Sequence, residues 1–205
     1  MNRRHPYERL STHRTDTPLT ISDTSWHHAP APLTPRSAQT KRELTIRVST
    51  GVGEGATRLA AFDAALRSAG VGDFNLIRLS SVIPPQAAVA EVDPVEQLTG
   101  GHGDLLYCVY ADAYASTPGE RAWAGLAWSR RAEQPGGGLF VEHTGHSRTA
   151  VERDLQLSLD DLSRGRGGGF TAAGRALAYA ECGARPVCAL VVASYRNSDW
   201  SHHGG

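Results

Sequence analysis

The pattern of apolar and polar residues from residue 44 onward predicts a chain rich in strands. Six stretches show alternating polarity, β-branched and aromatic residues, or a short apolar run: 44–48, 76–79, 104–115, 121–128, 138–143 and 187–194. Three further stretches are predicted as helices: 57–69, 149–162 and 170–180. This mixed order predicts an α+β domain in which helices cover the outer faces of sheet.

Glycines and a capping residue mark where these elements begin and end. Gly51, Gly53 and Gly55 predict a flexible turn that ends the first strand. Thr57 is a typical N-cap, and Gly70 is a typical end for a helix with apolar residues on one face. Those apolar residues are Leu59, Phe62, Leu66 and Ala69.

Composition divides the chain into three parts. Residues 1–43 mix arginines with scattered prolines and lack the apolar core of a secretory signal, so we expect a disordered N-terminal tail. Residues 44–196 are numerous enough to bury the core of one domain. Residues 197–205 are expected to form a polar C-terminal tail.

Charge and cysteine content narrow the class of protein. The 21 basic and 21 acidic residues cancel, which argues against a dedicated nucleic-acid or acidic-membrane surface and favours a small-molecule partner. The longest apolar run, 187–193, is far shorter than the roughly 20 residues of a membrane-spanning helix. Three cysteines without a CxxC pair argue against a disulfide framework or a zinc site and suit a reducing cytoplasm.

A serine pair stands where an apolar strand must stop. Residues 76–79 have the character of a buried strand, and Pro84 and Pro85 cannot donate to a sheet ladder. Ser80 and Ser81 are therefore held at a strand end. Taken alone, two serines before a pair of prolines are typical of a plain turn.

Three segments resemble the pyruvoyl-dependent arginine decarboxylase family. Residues 75–85 (Asn-Leu-Ile-Arg-Leu-Ser-Ser-Val-Ile-Pro-Pro) resemble its self-processing segment, in which the precursor splits between two adjacent serines. Residues 53–66, followed by 69–72, resemble the family's first helix and its exit. Residues 139–142 fall where the family carries its catalytic glutamate, and the whole resemblance covers roughly residues 44–196.

The resemblance implies a fold, an assembly and a cofactor. It implies an αββα four-layer sandwich, self-cleaved between Ser80 and Ser81 into a small N-terminal and a larger C-terminal chain, and a homotrimer of cleaved protomers. In the expected route, the Ser81 hydroxyl attacks the Ser80 carbonyl carbon, and elimination from the resulting ester leaves a covalently bound pyruvoyl group derived from Ser81. Its ketone draws off the electron pair left when carbon dioxide departs, which no ordinary side chain can do. The implied reaction converts L-arginine to agmatine.

The resemblance also implies roles for individual residues. Glu142 is the expected proton donor, and Asn75 is expected to serve processing by donating its amide to the Ser80 carbonyl. Asp63 is expected to bind the substrate guanidinium, because a carboxylate accepts paired hydrogen bonds from that rigid fork. The residues expected to line the same pocket are Leu59, Gly72, Phe74 and Ser80. Phe74 is bulkier than the aliphatic residue expected there and would narrow the pocket.

Other interpretations compete with this one. The glycines of residues 51–55 resemble a dinucleotide-binding turn, but the next strand ends in serines and prolines rather than in an acidic residue. His143 and His146 stand beside Glu142 without a third clustered ligand, so no metal is expected. Decarboxylation of another amino acid, such as histidine, and a binding subunit that does not process itself both stay open as alternatives.

Overall fold

The computed structural model describes residues 44–93, 98–133 and 136–203. Within these ranges the elements, in chain order, are β1 (Thr45–Glu54), α1 (Arg58–Ser68), β2 (Asn75–Arg78), β3 (Val82–Ile83), β4 (Ala88–Glu91), β5 (Leu105–Ala115), β6 (Arg121–Arg131), β7 (Gly138–Gly145), α2 (Arg148–Gly165), β8 (Phe170–Glu181), β9 (Val187–Ser198) and a 3-10 helix (Trp200–His203). The expected tail at residues 1–43 lies outside the described residues.

The strands form two sheets that pack face to face. Sheet I has the order β2-β5-β9-β1-β4, and sheet II has the order β3-β7-β6-β8. Each edge strand of sheet I runs parallel to its neighbour, whereas the remaining pairs are antiparallel. The core between the sheets consists largely of alanine and valine around a few large side chains such as Trp128 and Phe140. The predicted α+β class is confirmed.

Helix α1 packs on the outer face of sheet I, and glycines in β1 make room for it. A Cβ at Gly53 would lie only 2.3 Å from the Ala61 carbonyl oxygen, so the helix backbone rests directly on the strand. A Cβ at Gly51 would meet the helix backbone in the same way. β1 therefore runs through both glycines to Glu54, and the prediction of a flexible turn starting at Gly51 is wrong.

The ends of α1 match the prediction, whereas one residue of its apolar face does not. Thr57 caps the helix, because its Oγ1 accepts a hydrogen bond from the Ala60 N–H at 3.1 Å. Gly70 follows the helix with a positive φ of 77°. Leu59 is 76% exposed and does not join the buried face that its spacing predicted.

Helix α2 packs on the outer face of sheet II. Val151, Leu155 and Leu159 pack there against Ala127 and Val141. The helix predicted at residues 149–162 is therefore confirmed, with one more residue at its start and three more at its end.

The helix predicted at residues 170–180 is wrong, because these residues form β8 at the edge of sheet II. Ala176, Ala178 and Ala180 alternate into the core between the sheets. Leu177, between two of these alanines, packs on the opposite face, with the residues under α2. Side chains that alternate between two faces have the period of a strand.

The remaining predicted strands are confirmed, and the last one is longer than predicted. β9 continues to Ser198, two residues past the predicted end of the domain at 196. Beyond it, the Trp200 Nε1–H donates to the Gly103 carbonyl oxygen at 3.0 Å. In the described ranges, neither helix is long and apolar enough to cross a lipid bilayer.

Candidate active site

The serine pair lies on the connection that leaves β2 in sheet I and enters β3 in sheet II. Ser81 has a φ of +67°, in the left-handed region that L-residues other than glycine rarely adopt. Such a conformation costs about 1–3 kcal/mol and persists only where surrounding contacts impose it. Ser81 is thus held in a strained conformation directly before a strand of two residues.

Hydrogen bonds fix Ser81 through both its side chain and its backbone. Its hydroxyl Oγ donates to Oε1 of Glu142 on β7. Its carbonyl oxygen accepts a hydrogen bond from the Phe140 N–H at 2.8 Å. Because Phe140 and Glu142 lie two residues apart on the same strand, one edge of β7 holds both groups of Ser81.

A cavity of about 320 Å³ opens beside this contact. It is lined by Ser80, Ser81, residues 139–143, Ser158, Leu162 and Arg166. β3 pairs with only the first two residues of β7, and the edge of β7 beyond this pairing faces the cavity. At its wall the His143 Nε2 and the Ser158 Oγ are 2.8 Å apart. The cavity therefore combines a serine hydroxyl, a carboxylate and an imidazole.

Tyr195 on β9 reaches across from sheet I to the same connection. Its hydroxyl donates to the Val82 carbonyl oxygen at 3.0 Å, and its ring lies 6.2 Å from that of Phe140. Burial, and then the Glu142 carboxylate, raise the pKa of the Tyr195 phenol above its ordinary value. The phenol therefore stays protonated and available as a donor.

Asp63 lies in a different part of the chain, on the exposed surface of α1. Its carboxylate is paired with the Arg67 guanidinium one turn further on, with 2.5 Å between the Arg67 Nη1 and the Asp63 Oδ2. Both side chains are more than half exposed. The guanidinium-binding carboxylate predicted from the sequence thus already holds a guanidinium of its own chain.

A second cavity, of about 190 Å³, lies at the C-terminal end of α1 and includes two of the predicted substrate contacts. It is lined by Arg67, Gly70, Gly72, Asp73, Phe74, Leu98 and Gly100. The stem of Arg67 passes so close to Gly72 that a Cβ there would lie 2.5 Å from the Arg67 Cγ. Arg67 therefore forms an ion pair with Asp63 and lines the same cavity as Gly72 and Phe74.

The predicted site residues thus fall into two groups. Ser80, Ser81 and Glu142 share the first cavity, which we call the reactive cavity. Gly72 and Phe74 line the second, which we call the α1 cavity, and Asp63 is joined to it only through its ion pair with Arg67. Leu59 lines neither of these two cavities, and neither contains both Ser81 and Asp63.

Asn75 lies apart from both groups. Its side-chain amide donates to the Gly103 carbonyl oxygen at 2.7 Å, and its backbone N–H donates to the Asp104 carbonyl at 2.8 Å. The Gly103 oxygen also accepts from Trp200. Asn75 therefore anchors the start of β2, and no hydrogen bond to Ser80 is present in its described contacts.

Comparison with known proteins decides the family. The family model for pyruvoyl-dependent arginine decarboxylase matches residues 45–179, well over half of the chain. The chain belongs to this family. Its described part contains no group of three or more His, Cys, Asp or Glu side chains that could hold a metal ion.

Individual relatives carry the same description. A pyruvoyl-dependent arginine decarboxylase of Halobacterium salinarum is 47% identical over 97 residues, which are 47% of this chain and 58% of that relative. One from Methanocaldococcus jannaschii is 36% identical over 127 residues, which are 62% of this chain and 74% of the relative. One from Methanothermobacter thermautotrophicus is 33% identical over 105 residues, or 51% of this chain and 64% of the relative. The chain thus spans little more than half of the Halobacterium relative.

The family description implies a pyruvoyl group, and the residues of the reactive cavity fit one at position 81. A pyruvoyl group needs a serine precursor, a partner for the serine proton and space beside it for a substrate. Ser81 has the Glu142 carboxylate as its partner, and the reactive cavity supplies the space. The Phe140 N–H already points at the carbonyl oxygen of residue 81.

Three features of this family member were not found from the sequence. The Tyr195 hydroxyl contacts a residue 113 positions away in sequence, so no local sequence pattern predicts this contact. The His143 and Ser158 pair likewise needs the packing of α2 on β7. Arg67 is different, because its spacing of four from Asp63 on a helix is a readable signal for an ion pair.

Proposed function

We propose that the chain is a pyruvoyl-dependent arginine decarboxylase, a carbon-carbon lyase that converts L-arginine to agmatine and carbon dioxide after cutting itself between Ser80 and Ser81. The observation that carries this proposal is the hydrogen bond from the strained Ser81 hydroxyl to the Glu142 carboxylate. In a plain turn, a serine hydroxyl typically hydrogen-bonds to nearby backbone rather than to a carboxylate on another strand. The family membership and the description shared by the relatives support the same reaction.

The cut uses groups that are already in contact. Glu142 accepts the Ser81 Oγ proton while that oxygen attacks the Ser80 carbonyl carbon, and the peptide C–N bond is replaced by an ester C–O bond with the amine regaining the proton. Loss of the Ser81 α-proton then breaks the ester and leaves a Ser80 carboxylate and a dehydroalanine at position 81. Water converts the latter to the pyruvoyl group and releases ammonia. Relief of the strain at Ser81 favours this sequence.

The same residues then serve the decarboxylation. The pyruvoyl group supplies an electron-withdrawing ketone beside the carbon that loses carbon dioxide. The Phe140 N–H, 2.8 Å from the carbonyl oxygen of residue 81, stabilises negative charge that spreads onto this oxygen. Glu142 returns a proton to the substrate carbon once carbon dioxide has left.

Substrate selection is assigned to the α1 cavity. Asp63 accepts the guanidinium of arginine, and Gly72 and Phe74 form the wall beside it, with Leu59 exposed on the same helix. Because Asp63 does not line the reactive cavity of its own protomer, we assign the complete site to two copies of the chain. A homotrimer of cleaved αββα protomers would supply it, so that Asp63 of one protomer serves Ser81 of its neighbour.

Asn75 is assigned to processing through the position of β2 rather than through contact with the cut. Its hydrogen bonds to Gly103 and Asp104 fix the first residue of the strand that leads to Ser80. Cytoplasmic location is proposed as well, because all three cysteines of the chain are free. Burial raises the pKa of Cys108 and Cys188 to about 12, so these two thiols are inert.

The test is to purify the chain and a Ser81→Ala variant and to compare them on a denaturing gel. The wild-type chain is expected to give two fragments, the larger with a carbonyl-reactive N-terminus by mass spectrometry, and the variant is expected to stay whole. The mature protein should release carbon dioxide from arginine in preference to histidine and uncharged amino acids. An ordinary serine still joined at position 81 would overturn the proposal and favour a binding subunit, whereas preference for histidine would overturn only the substrate.

A further inference from the structure

The carbonyl groups that follow the serine pair are held from two different sheets. The Ser81 carbonyl accepts from Phe140 on β7, within sheet II. The Val82 carbonyl accepts from the Tyr195 hydroxyl on β9, across from sheet I. The Ser81 hydroxyl is held by Glu142. The Ser81 side chain, the Ser81 carbonyl and the Val82 carbonyl are therefore all held in place directly after the bond to be cut.

The Val82 carbonyl needs a donor from outside its own sheet. Along a strand, successive carbonyls point to opposite sides, and the Ser81 carbonyl points toward β7. The Val82 carbonyl therefore points away from β7, and among the described residues β3 is the edge strand of sheet II, with no strand beyond it. Tyr195 supplies the donor that the sheet itself does not.

Tyr195 is a rigid support for this contact. It follows Ser194, which pairs with Arg47 of β1 and Cys108 of β5, and it lies at the bulge in the pairing of β9 with β5. Its side chain is 8% exposed and packs edge-on to the Phe140 ring. A donor held this firmly fixes the position of the carbonyl it meets.

We infer that Tyr195 is a positioning residue for the cut: by holding the Val82 carbonyl, its hydroxyl keeps Ser81 in the left-handed conformation that directs Oγ to Glu142. The inference deepens the proposed function and rests on it. β3 alone offers a weak anchor, because it pairs with β7 over only two residues. Without the Tyr195 hydroxyl, Ser81 can relax toward an ordinary extended conformation and its hydroxyl leaves the carboxylate.

The experiment follows cleavage over time in freshly refolded wild-type, Tyr195→Phe and Tyr179→Phe chains, at a temperature well below the melting transition. Tyr195→Phe is expected to slow cleavage about tenfold, because it removes the anchor and keeps the ring. Tyr179→Phe is the matched control: its hydroxyl bonds Glu181 on the exposed side of β8, so cleavage should keep the wild-type rate. The far-ultraviolet circular dichroism and melting temperature of each chain show whether it is folded.

A second variant separates positioning from packing. p-Aminophenylalanine at position 195 restores a hydrogen-bond donor on the ring and is expected to recover most of the cleavage rate. Equal rates for wild-type and Tyr195→Phe chains would overturn the inference, as would a folded p-aminophenylalanine chain no faster than Tyr195→Phe. A wild-type chain that never cuts would instead overturn the proposed function.

Discussion

The reactive cavity and the α1 cavity are built in opposite ways. Around Ser81 the contacts join distant parts of the chain: Ser81 and Glu142 are 61 positions apart in sequence, and Val82 and Tyr195 are 113 positions apart. Around Asp63 the main contact is local, since Arg67 lies one helical turn away on an exposed surface. The first region is assembled by the fold of one protomer, and the second is left open at its surface.

This difference between the two regions separates the step that one chain can complete alone, self-cleavage, from the step for which we propose a second chain, recognition of the substrate. Under the proposed function, self-cleavage needs only groups of the reactive cavity, which one protomer brings together. Recognition of the guanidinium is assigned to Asp63, which does not line the reactive cavity of the same protomer. We therefore expect variants of the two regions to separate: damage to the first should stop maturation, and damage to the second should spare it.

The largest effect is expected from Glu142→Gln. An amide cannot take the Ser81 proton, and positioned acid–base groups typically contribute about 100-fold or more in rate. Cleavage, measured as the intact fraction on a denaturing gel over time, should slow by at least this factor. Glu152→Gln is the control, because Glu152 pairs with Arg148 of α2 and Arg175 of β8, does not line the reactive cavity and should leave cleavage unchanged. Normal maturation of Glu142→Gln would remove the base from the scheme.

Asp63→Ala should cut normally and fail in recognition. Loss of hydrogen bonds to a charged group costs about 1.5–3 kcal/mol, so kcat/KM for arginine should fall about 10-fold to 150-fold. Steady-state carbon dioxide release measures it, with Asp160→Ala on the exposed face of α2 as the control. If Asp63→Ala blocked cleavage instead, the separation between the two regions would be lost.

Mixed assemblies test whether the two regions meet between protomers. Expressed alone, Ser81→Ala chains are expected to be inactive with arginine, and Asp63→Ala chains are expected to keep only the residual activity given above. Co-expressed, they should regain part of the activity, because one chain offers Asp63 and the other a mature residue 81. Failure to complement in a mixed trimer isolated by two affinity tags would place the whole site in one protomer.

Gly53→Ala should weaken the docking of α1. The new Cβ would lie 2.3 Å from helix backbone atoms, and overpacking of this kind typically costs about 1–3 kcal/mol of unfolding free energy. Urea titration followed by circular dichroism measures the change. At Gly165 an added Cβ meets no atom within 4 Å, so Gly165→Ala should leave the stability unchanged or slightly raise it. Equal stability of both variants would mean that α1 does not rest on β1 this closely.

The smallest effect is expected from Arg67→Gln. The Arg67 guanidinium occupies Asp63, and substrate must displace it, but an exposed ion pair is worth at most about 1 kcal/mol. KM for arginine should therefore fall by up to about fivefold with kcat unchanged. Arg164→Gln, which breaks an exposed pair with Asp161, is the control. A higher KM would show that Arg67 helps to hold the substrate rather than competing with it.

Local pattern was sufficient for most strands and for both helices that pack on the sheets. It failed where an element's partner decides its conformation. Gly51 and Gly53 were predicted to form a turn because glycine is flexible. They lie within β1 instead, because α1 packs so closely against the strand that a Cβ would not fit. Residues 170–180 read as a helix because alanine favours helices, and the period-two alternation of Ala176, Ala178 and Ala180 was the signal to follow.

The residues of the candidate site show the same difference between what local pattern predicts and what contacts between elements decide. Ser81 and Glu142 were each chosen from a separate resemblance to the family, as pyruvoyl precursor and as proton donor, and the structure places their side chains in hydrogen-bond contact. Tyr195 sits in an apolar run and has the appearance of an ordinary core residue, because its role depends on a contact across two sheets. Helical spacing placed Leu59 on the apolar face of α1, and the family resemblance placed it in the pocket of Asp63. Its exposure follows from the side of α1 that packs against the glycines of β1.

The Tyr195 contact with Val82 also sets an order of events in the life of the molecule. The reactive bond is made early in synthesis, and the tyrosine that steadies it is added more than a hundred residues later. Under the proposed scheme a growing chain on the ribosome is cut at the full rate only after β9 has emerged and docked. Rapid cleavage between Ser80 and Ser81 then follows the synthesis and docking of β9.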